Sequence, residues 1–276
     1  MTLSKQHWAF EGHEINIYTG GSGPTLLLFH GVGPGTSIPA NFSAVTDALT
    51  PHFRVVGMDL VGFGLSSRKE ADPYFDFPLW CRQAAFVAER VRAERGESTL
   101  RVWGHSIGGA IALHLAATTP GVSHVIATGT AGGEQRLNPP LDKFWTFPAS
   151  REQLREAMMS SMLNPADITD ALVDDRYATL QLGDIGPYFG RMMSGDKQAL
   201  LDSLRLPREL LARVSARVTL IHGRDDKPCP YEESVLPLLK KIPKCDAILL
   251  GQCGHNPARE QPARTVKMVI DRLLET

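Results

Sequence analysis

Six short apolar runs, separated by helical patterns, constrain the fold of this chain more than any other feature. They are TLLLFHG (25–31), FRVVGMD (53–59), LRVWGHS (100–106), HVIATGT (124–130), RVTLIHG (217–223) and DAILLG (246–251). A strand covered on both faces shows a continuous apolar run rather than alternation, and is the parallel-sheet type. Strands alternating with helices imply a mainly parallel sheet with right-handed crossovers and helices on both faces. The clearest helix is GGAIALHLAATTP (108–120), stopped by Pro120-Gly121. WAFEGHEINIYTGG reads as an early hairpin closed by Gly12-His13, which supplies an antiparallel edge.

One stretch breaks this rhythm. From Gly132 to Leu211 no buried strand is legible. REQLREAMMSSM and DITDALVDDRYATL look helical, and Pro139, Pro140, Pro148, Pro165 and Pro187 cut the segment into pieces. Roughly eighty residues is far more than a crossover needs. The expected organisation is a core of residues 1–131 and 212–276, with 132–211 inserted as a helical cap.

Lys plus Arg number 29 and Asp plus Glu 30, a net charge of −1 with no block of one sign. That argues against nucleic acid or an anionic membrane as partner. No run reaches the length of a membrane span, and MTLSKQHWAFEGHEI lacks a signal-peptide core. Cys81, Cys229, Cys245 and Cys253 form no metal spacing, which suits reduced thiols in a cytoplasmic protein. No metal and no cofactor is expected. A small-molecule substrate is, with a homo-oligomer as a possible assembly.

The third apolar run ends in Gly104-His105-Ser106-Ile107-Gly108. A serine at a strand-to-helix turn between glycines is the pattern of a nucleophile elbow; its bland alternative is a helix N-cap. A nucleophilic serine needs a base and an orienting acid. HGRDDKPCP (222–230) follows the fifth run and GQCGHNP (251–257) the sixth, both at strand ends where open α/β sheets keep their sites. They supply Asp226 and His255, in the order Ser…Asp…His. Asp225 is the reserve acid and Glu134 a distant third; taken alone, Asp225 and Asp226 read equally well as turn formers and His255 as a loop residue. The oxyanion hole is expected from the backbone N–H groups of Val32, in HGVGPG (30–35), and Ile107. HGVGPG lacks the G-x-G-x-x-G spacing, and no helix is expected to open there. DLVGFGLS (59–66) completes the loops on this side, or is a plain glycine turn.

With these motifs in order, the chain resembles the α/β-hydrolases over its whole length, and most closely the meta-cleavage-product hydrolases. The closer likeness rests on His-Gly-x-Gly-Pro-Gly with Asn41 nearby, VGFG (61–64), GTAGG (129–133) and Arg176 in DRYATL. It implies cleavage of a carbon–carbon bond in ring-opened dienol diketones from aromatic degradation, with Asn41 and Arg176 contacting the substrate's polar groups and carboxylate. Two positions depart from that family: His105 stands where it usually has Asn, and Asn256 where it usually has Trp. Both are carried as substrate-binding positions. The other readings are an ester, thioester or lactone hydrolase with the same machinery, and a ligand receptor on a hydrolase fold. Arg176 also has a bland reading, a solvated arginine paired with Asp174 or Asp175. The methionines and aromatics of 132–211 read mostly as that segment's own packing.

Overall fold

The computed structural model describes residues 3–275. Each of the six runs forms a strand. After the hairpin strands β1 (Ser4–Phe10) and β2 (His13–Gly20) come β3 (Thr25–Phe29), β4 (Arg54–Met58), β5 (Leu100–His105), β6 (Val122–Thr128), β7 (Arg217–Gly223) and β8 (Cys245–Leu250). They form one eight-stranded sheet in the order β1-β2-β4-β3-β5-β6-β7-β8. β1 and β2 are antiparallel, β2 joins β4 antiparallel, and every later pairing is parallel. The hairpin turn differs from expectation by one residue. Phe10 pairs with His13 across Glu11-Gly12, both at positive φ (45° and 78°). Two left-handed residues make the two-residue turn that matches strand twist.

The pleat sends alternate side chains to opposite faces, and both faces are covered. Leu27, Phe29, Val102 and Val125 pack on the side of α2 (Phe77–Arg95) and α3 (Ile107–Thr118). Leu26, Leu28, Trp103 and Ile126 pack on the side of α1 (Ile38–Leu49), with Val269 and Leu273 from the C-terminal helix. Edge-to-face contact of Phe42 on Trp103, 5.2 Å between centroids, anchors α1 to the sheet. β8 departs from its reading as a doubly covered strand. It is the sheet edge, where Leu249 is exposed and only Leu250 fully buried.

Between β6 and β7 lie only helices: α4 (Pro139–Phe144), α5 (Arg151–Ser161), a 3-10 turn Pro165–Asp167, α6 (Asp170–Leu180), α7 (Ile185–Met192), α8 (Lys197–Asp202) and α9 (Arg208–Leu211). The prolines fall in first turns or between helices, where a missing N–H is harmless. α10 (Val235–Leu239), α11 (Pro257–Glu260) and α12 (Pro262–Leu274) complete the chain. A helix does open behind HGVGPG, contrary to expectation. Ser37 caps α1 through Ala40 N–H, and Pro39 sits in its first turn.

Candidate active site

Ser106 stands alone between β5 and α3 at φ 56°, ψ −121°. For a residue with a Cβ this backbone costs about 1–3 kcal/mol, so the surroundings must impose it. The glycines show how. A Cβ at Gly104 would meet Gly108 O at 2.0 Å, and one at Gly108 would meet Phe29 O at 2.2 Å. Only bare backbone lets the turn close this tightly against β3. Ser106 occupies an N-cap position but makes no side-chain cap bond. Its hydroxyl lies instead 3.1 Å from His255 Nε2. The Ile107 and Val32 N–H groups have no acceptor among the described residues.

His255 Nδ1–H donates to Asp226 Oδ2 at 2.8 Å, which leaves Nε2 to accept from Ser106. A Cβ at Gly223 would meet Gly254 O at 2.0 Å, so glycine lets the end of β7 touch the histidine loop. Asp226 is almost fully buried and satisfied: Oδ1 accepts Cys229 N–H at 2.9 Å, and His222 Nε2 lies 3.0 Å from Oδ2. Burial pushes its carboxyl up, but His255 and His222 outweigh that and hold it well below the usual carboxylate range. Burial pushes His255 down, and Asp226, with Cys229 beside it, holds it well above its ordinary value. The Cys229 thiol sits among these groups, with Asp226, Cys229 and His255 donor atoms within 4.8 Å of one another. The reserve acids are elsewhere. Asp225 accepts Gln252 N–H at 3.0 Å, and Glu134 pairs with Lys241.

The histidine loop is held by Glu260. Its Oε2 accepts Gly254 N–H at 2.8 Å and Leu163 N–H at 2.9 Å, and its Oε1 accepts Asn256 N–H at 2.9 Å. His255 N–H itself donates to Ser161 O at 2.9 Å. The loop is thereby docked onto the C-terminal end of α5. Burial raises the Glu260 carboxyl, while the three N–H groups pull it down.

A small cavity beside His255 is lined by Asn41, His105, Arg176, Asn256 and Arg259, with Phe144, Met158 and Met162 from the helical segment. Asn41 Oδ1 accepts Gly31 N–H at 2.8 Å, which fixes the loop carrying Val32. His105 Nδ1 donates to Thr128 O at 3.1 Å; burial, then the neighbouring His255, drives its pKa well down, so it is a neutral imidazole. Asn256 does double duty, since its side chain also caps α11 through Arg259 N–H. Arg176 forms no ion pair with its bland partners: Asp174 is paired with Arg151, and Asp175 acts on it through its charge alone. Most of the segment's other large residues, including Trp145, Tyr188, Phe189, Met192 and Met193, are core packing. A larger cavity of about 250 Å³ lies between the glycine loops and α6–α7, and shares Thr36 with the first.

The α/β hydrolase fold family matches residues 24–262. The chain belongs to it. Among curated relatives, this hydrolase is 29% identical over 96% of its length, and 92% of the relative's, to 2-hydroxymuconate semialdehyde hydrolase of Pseudomonas sp. (strain CF600). It is 28% identical to 2-hydroxy-6-oxo-2,4-heptadienoate hydrolase of Pseudomonas putida, covering 95% and 93%. Among solved structures, a meta-cleavage product hydrolase from Pseudomonas fluorescens IP01 superposes with a TM-score of 0.90 at 25% identity, covering 97% of each chain. Among the described residues, no helix of this hydrolase is long and apolar enough to cross a membrane.

Sequence reasoning missed three side chains and one backbone carbonyl of this α/β hydrolase's site. His222 was visible in HGRDDKPCP but went unread beside the two aspartates. Glu260 and Arg259 follow His255 closely, yet α11 is four residues long and shows no periodicity. Ser161 acts through its carbonyl, which no residue type announces.

Proposed function

We propose that this α/β hydrolase cleaves a carbon–carbon bond beside a ketone in a ring-opened 2-hydroxydienoic acid, with Ser106 as nucleophile, His255 as base and acid, and Asp226 orienting His255. Arg176 carries the reading: a guanidinium with no carboxylate partner among the described residues lines the cavity that His255 faces. A substrate carboxylate would complete it through two parallel hydrogen bonds. The names of the curated relatives support the same substrate class.

The chemistry follows from the geometry. The substrate reacts as its 2-oxo tautomer, because only that form can accept the electron pair of the breaking bond. Ser106 Oγ attacks the distant ketone while His255 Nε2 takes its proton. The resulting oxyanion falls to the Val32 and Ile107 N–H groups. The carbon–carbon bond then breaks, the electron pair leaves as a dienolate, and the proton held by His255 passes to that fragment. Water, deprotonated by His255, releases the acyl group from Ser106 as a carboxylic acid. One water is consumed for each bond broken. Residues 132–211 act as a cap in this scheme, since Phe144, Met158, Met162 and Arg176 all reach the cavity from it.

An ester or lactone needs the same triad but no cation. The test is a pair of substrates, a ring-cleavage dienol acid and p-nitrophenyl acetate, assayed with wild type and Arg176→Ala. Loss of a charge-assisted pair worth about 1.5–3 kcal/mol should lower kcat/KM for the acid by about tenfold or more. The neutral ester should change by less than about twofold. Equal losses on both would transfer the assignment to ester or lactone hydrolysis.

A further inference from the structure

Arg176, on α6, and Arg259, on α11, line one cavity beside His255. They come from different parts of the chain, the inserted helices and the core. They feel each other: burial first, then the charge of Arg259, lowers the Arg176 guanidinium to about 10. No carboxylate forms an ion pair with either among the described residues. Asp174 belongs to Arg151, and Glu260, next to Arg259, is occupied by three backbone N–H groups. Arg259 gives one N–H to Ala40 O at 2.7 Å, while its Nε is buried with no partner. A buried donor left unpaired costs about 1–3 kcal/mol. Two cations on one cavity, neither in an ion pair and only Arg176 partly offset by the charge of Asp175, add repulsion to that, and an anion between them would relieve both.

One carboxylate is met by one guanidinium. A second points to a second oxygen close to the first. We propose that Arg259 is a substrate-binding residue which, with Arg176, grips the adjacent carboxylate and 2-oxygen of a 2-oxo or 2-hydroxydienoic acid. In turnover, which rests on the carbon–carbon reading above, the second cation has a further use. The electron pair of the breaking bond moves through the adjoining double bond onto the 2-oxygen, placing a second negative charge beside the carboxylate. Arg259 meets a charge that is larger in the transition state than in the bound substrate, so it favours bond breaking and not only binding. The fragment then takes up the proton from His255 and leaves as a neutral dienol bearing its carboxylate.

Isothermal titration with 2-oxobutyrate and butyrate, acids of one size that differ at the second oxygen, tests the grip without any cleavage. Wild type should bind 2-oxobutyrate about tenfold more tightly than butyrate, the scale of one charge-assisted hydrogen bond. Arg259→Gln should shrink that preference to less than about threefold and leave butyrate nearly unchanged, whereas Arg176→Gln should weaken both acids. Equal affinities in the wild-type protein would overturn the proposal with no variant needed. So would an undiminished preference in Arg259→Gln, which would reduce Arg259 to a strut on Ala40. A wild-type preference lost in Arg259→Gln, with ring-cleavage acids left uncleaved, would keep the 2-oxo acid grip and overturn only the cleavage reading.

Discussion

Replacing Glu260 by glutamine keeps shape and removes charge, and its cost can be worked from three distances. The carboxylate accepts Gly254, Leu163 and Asn256 N–H groups at 2.8, 2.9 and 2.9 Å. Glutamine in its better orientation keeps the first two on its carbonyl oxygen. Its NH2 then faces the Asn256 N–H, donor against donor. A hydrogen bond to a charged acceptor contributes about 1.5–3 kcal/mol and a neutral one about 0.5–1.5, so the two retained bonds lose about 2 kcal/mol together. The stranded N–H adds about 1–3 kcal/mol. Opposing this, a neutral amide escapes the burial cost that raises the Glu260 carboxyl. The balance is a destabilisation of about 2–3 kcal/mol, read from urea unfolding at constant slope. Because the three N–H groups include both neighbours of His255, the same change should loosen the base. A fall in kcat of about tenfold or more, with KM moving less, is expected on ester and acid substrates alike. A Gln variant with wild-type urea midpoint and kcat within twofold would show that the loop is held by something else.

Asp226→Asn should lower kcat by about three to four orders of magnitude, because an amide cannot both accept from His255 Nδ1–H and balance an imidazolium. Asp225→Asn, whose carboxylate meets the Gln252 N–H and a loose ion pair with Arg224 away from His255, should stay within about fivefold; the reverse ranking would pass the role to Asp225. Since His255 is held above its ordinary value and must be neutral to act as base, kcat/KM should climb with pH through a limb lying above 6.5. The stability its proton contributes is full below 6.5 and lost as pH rises through the folded value. That of Asp226 is present above the unfolded value near 3.9 and lost as pH falls through its lowered one. A limb below pH 6 would contradict the His255–Asp226 coupling.

The strands and the order of the motifs were legible because their signals are local. Burial on both faces writes itself into Leu26-Leu27-Leu28-Phe29, and close approach into Gly104 and Gly108. β8 carries nearly the same apolar run, yet nothing in it distinguishes a central strand from an edge; that depends on whether another strand follows. The helix behind HGVGPG had its signals, Ser37 and Pro39, but they sit in glycine-rich surroundings that read as one continuous loop. The contacts that were not legible pair residues distant in sequence: Glu260 with Leu163, Ser161 with His255, Arg259 with Ala40. Each ends on a backbone group, and the Ser161–His255 bond is backbone at both ends, so the partner's residue type carries no information. The substitutions at 105 and 256 gain meaning only alongside them. A neutral imidazole at His105 can accept a hydrogen bond but offers no positive charge, and Asn256 spends its carbonyl on capping α11. Neither brings a positive charge to the cavity, which is why the proposed grip on an anion is assigned to the arginine from α6 and to Arg259, whose backbone N–H the Asn256 cap holds, with the Asn256 NH2 left as a neutral donor beside them.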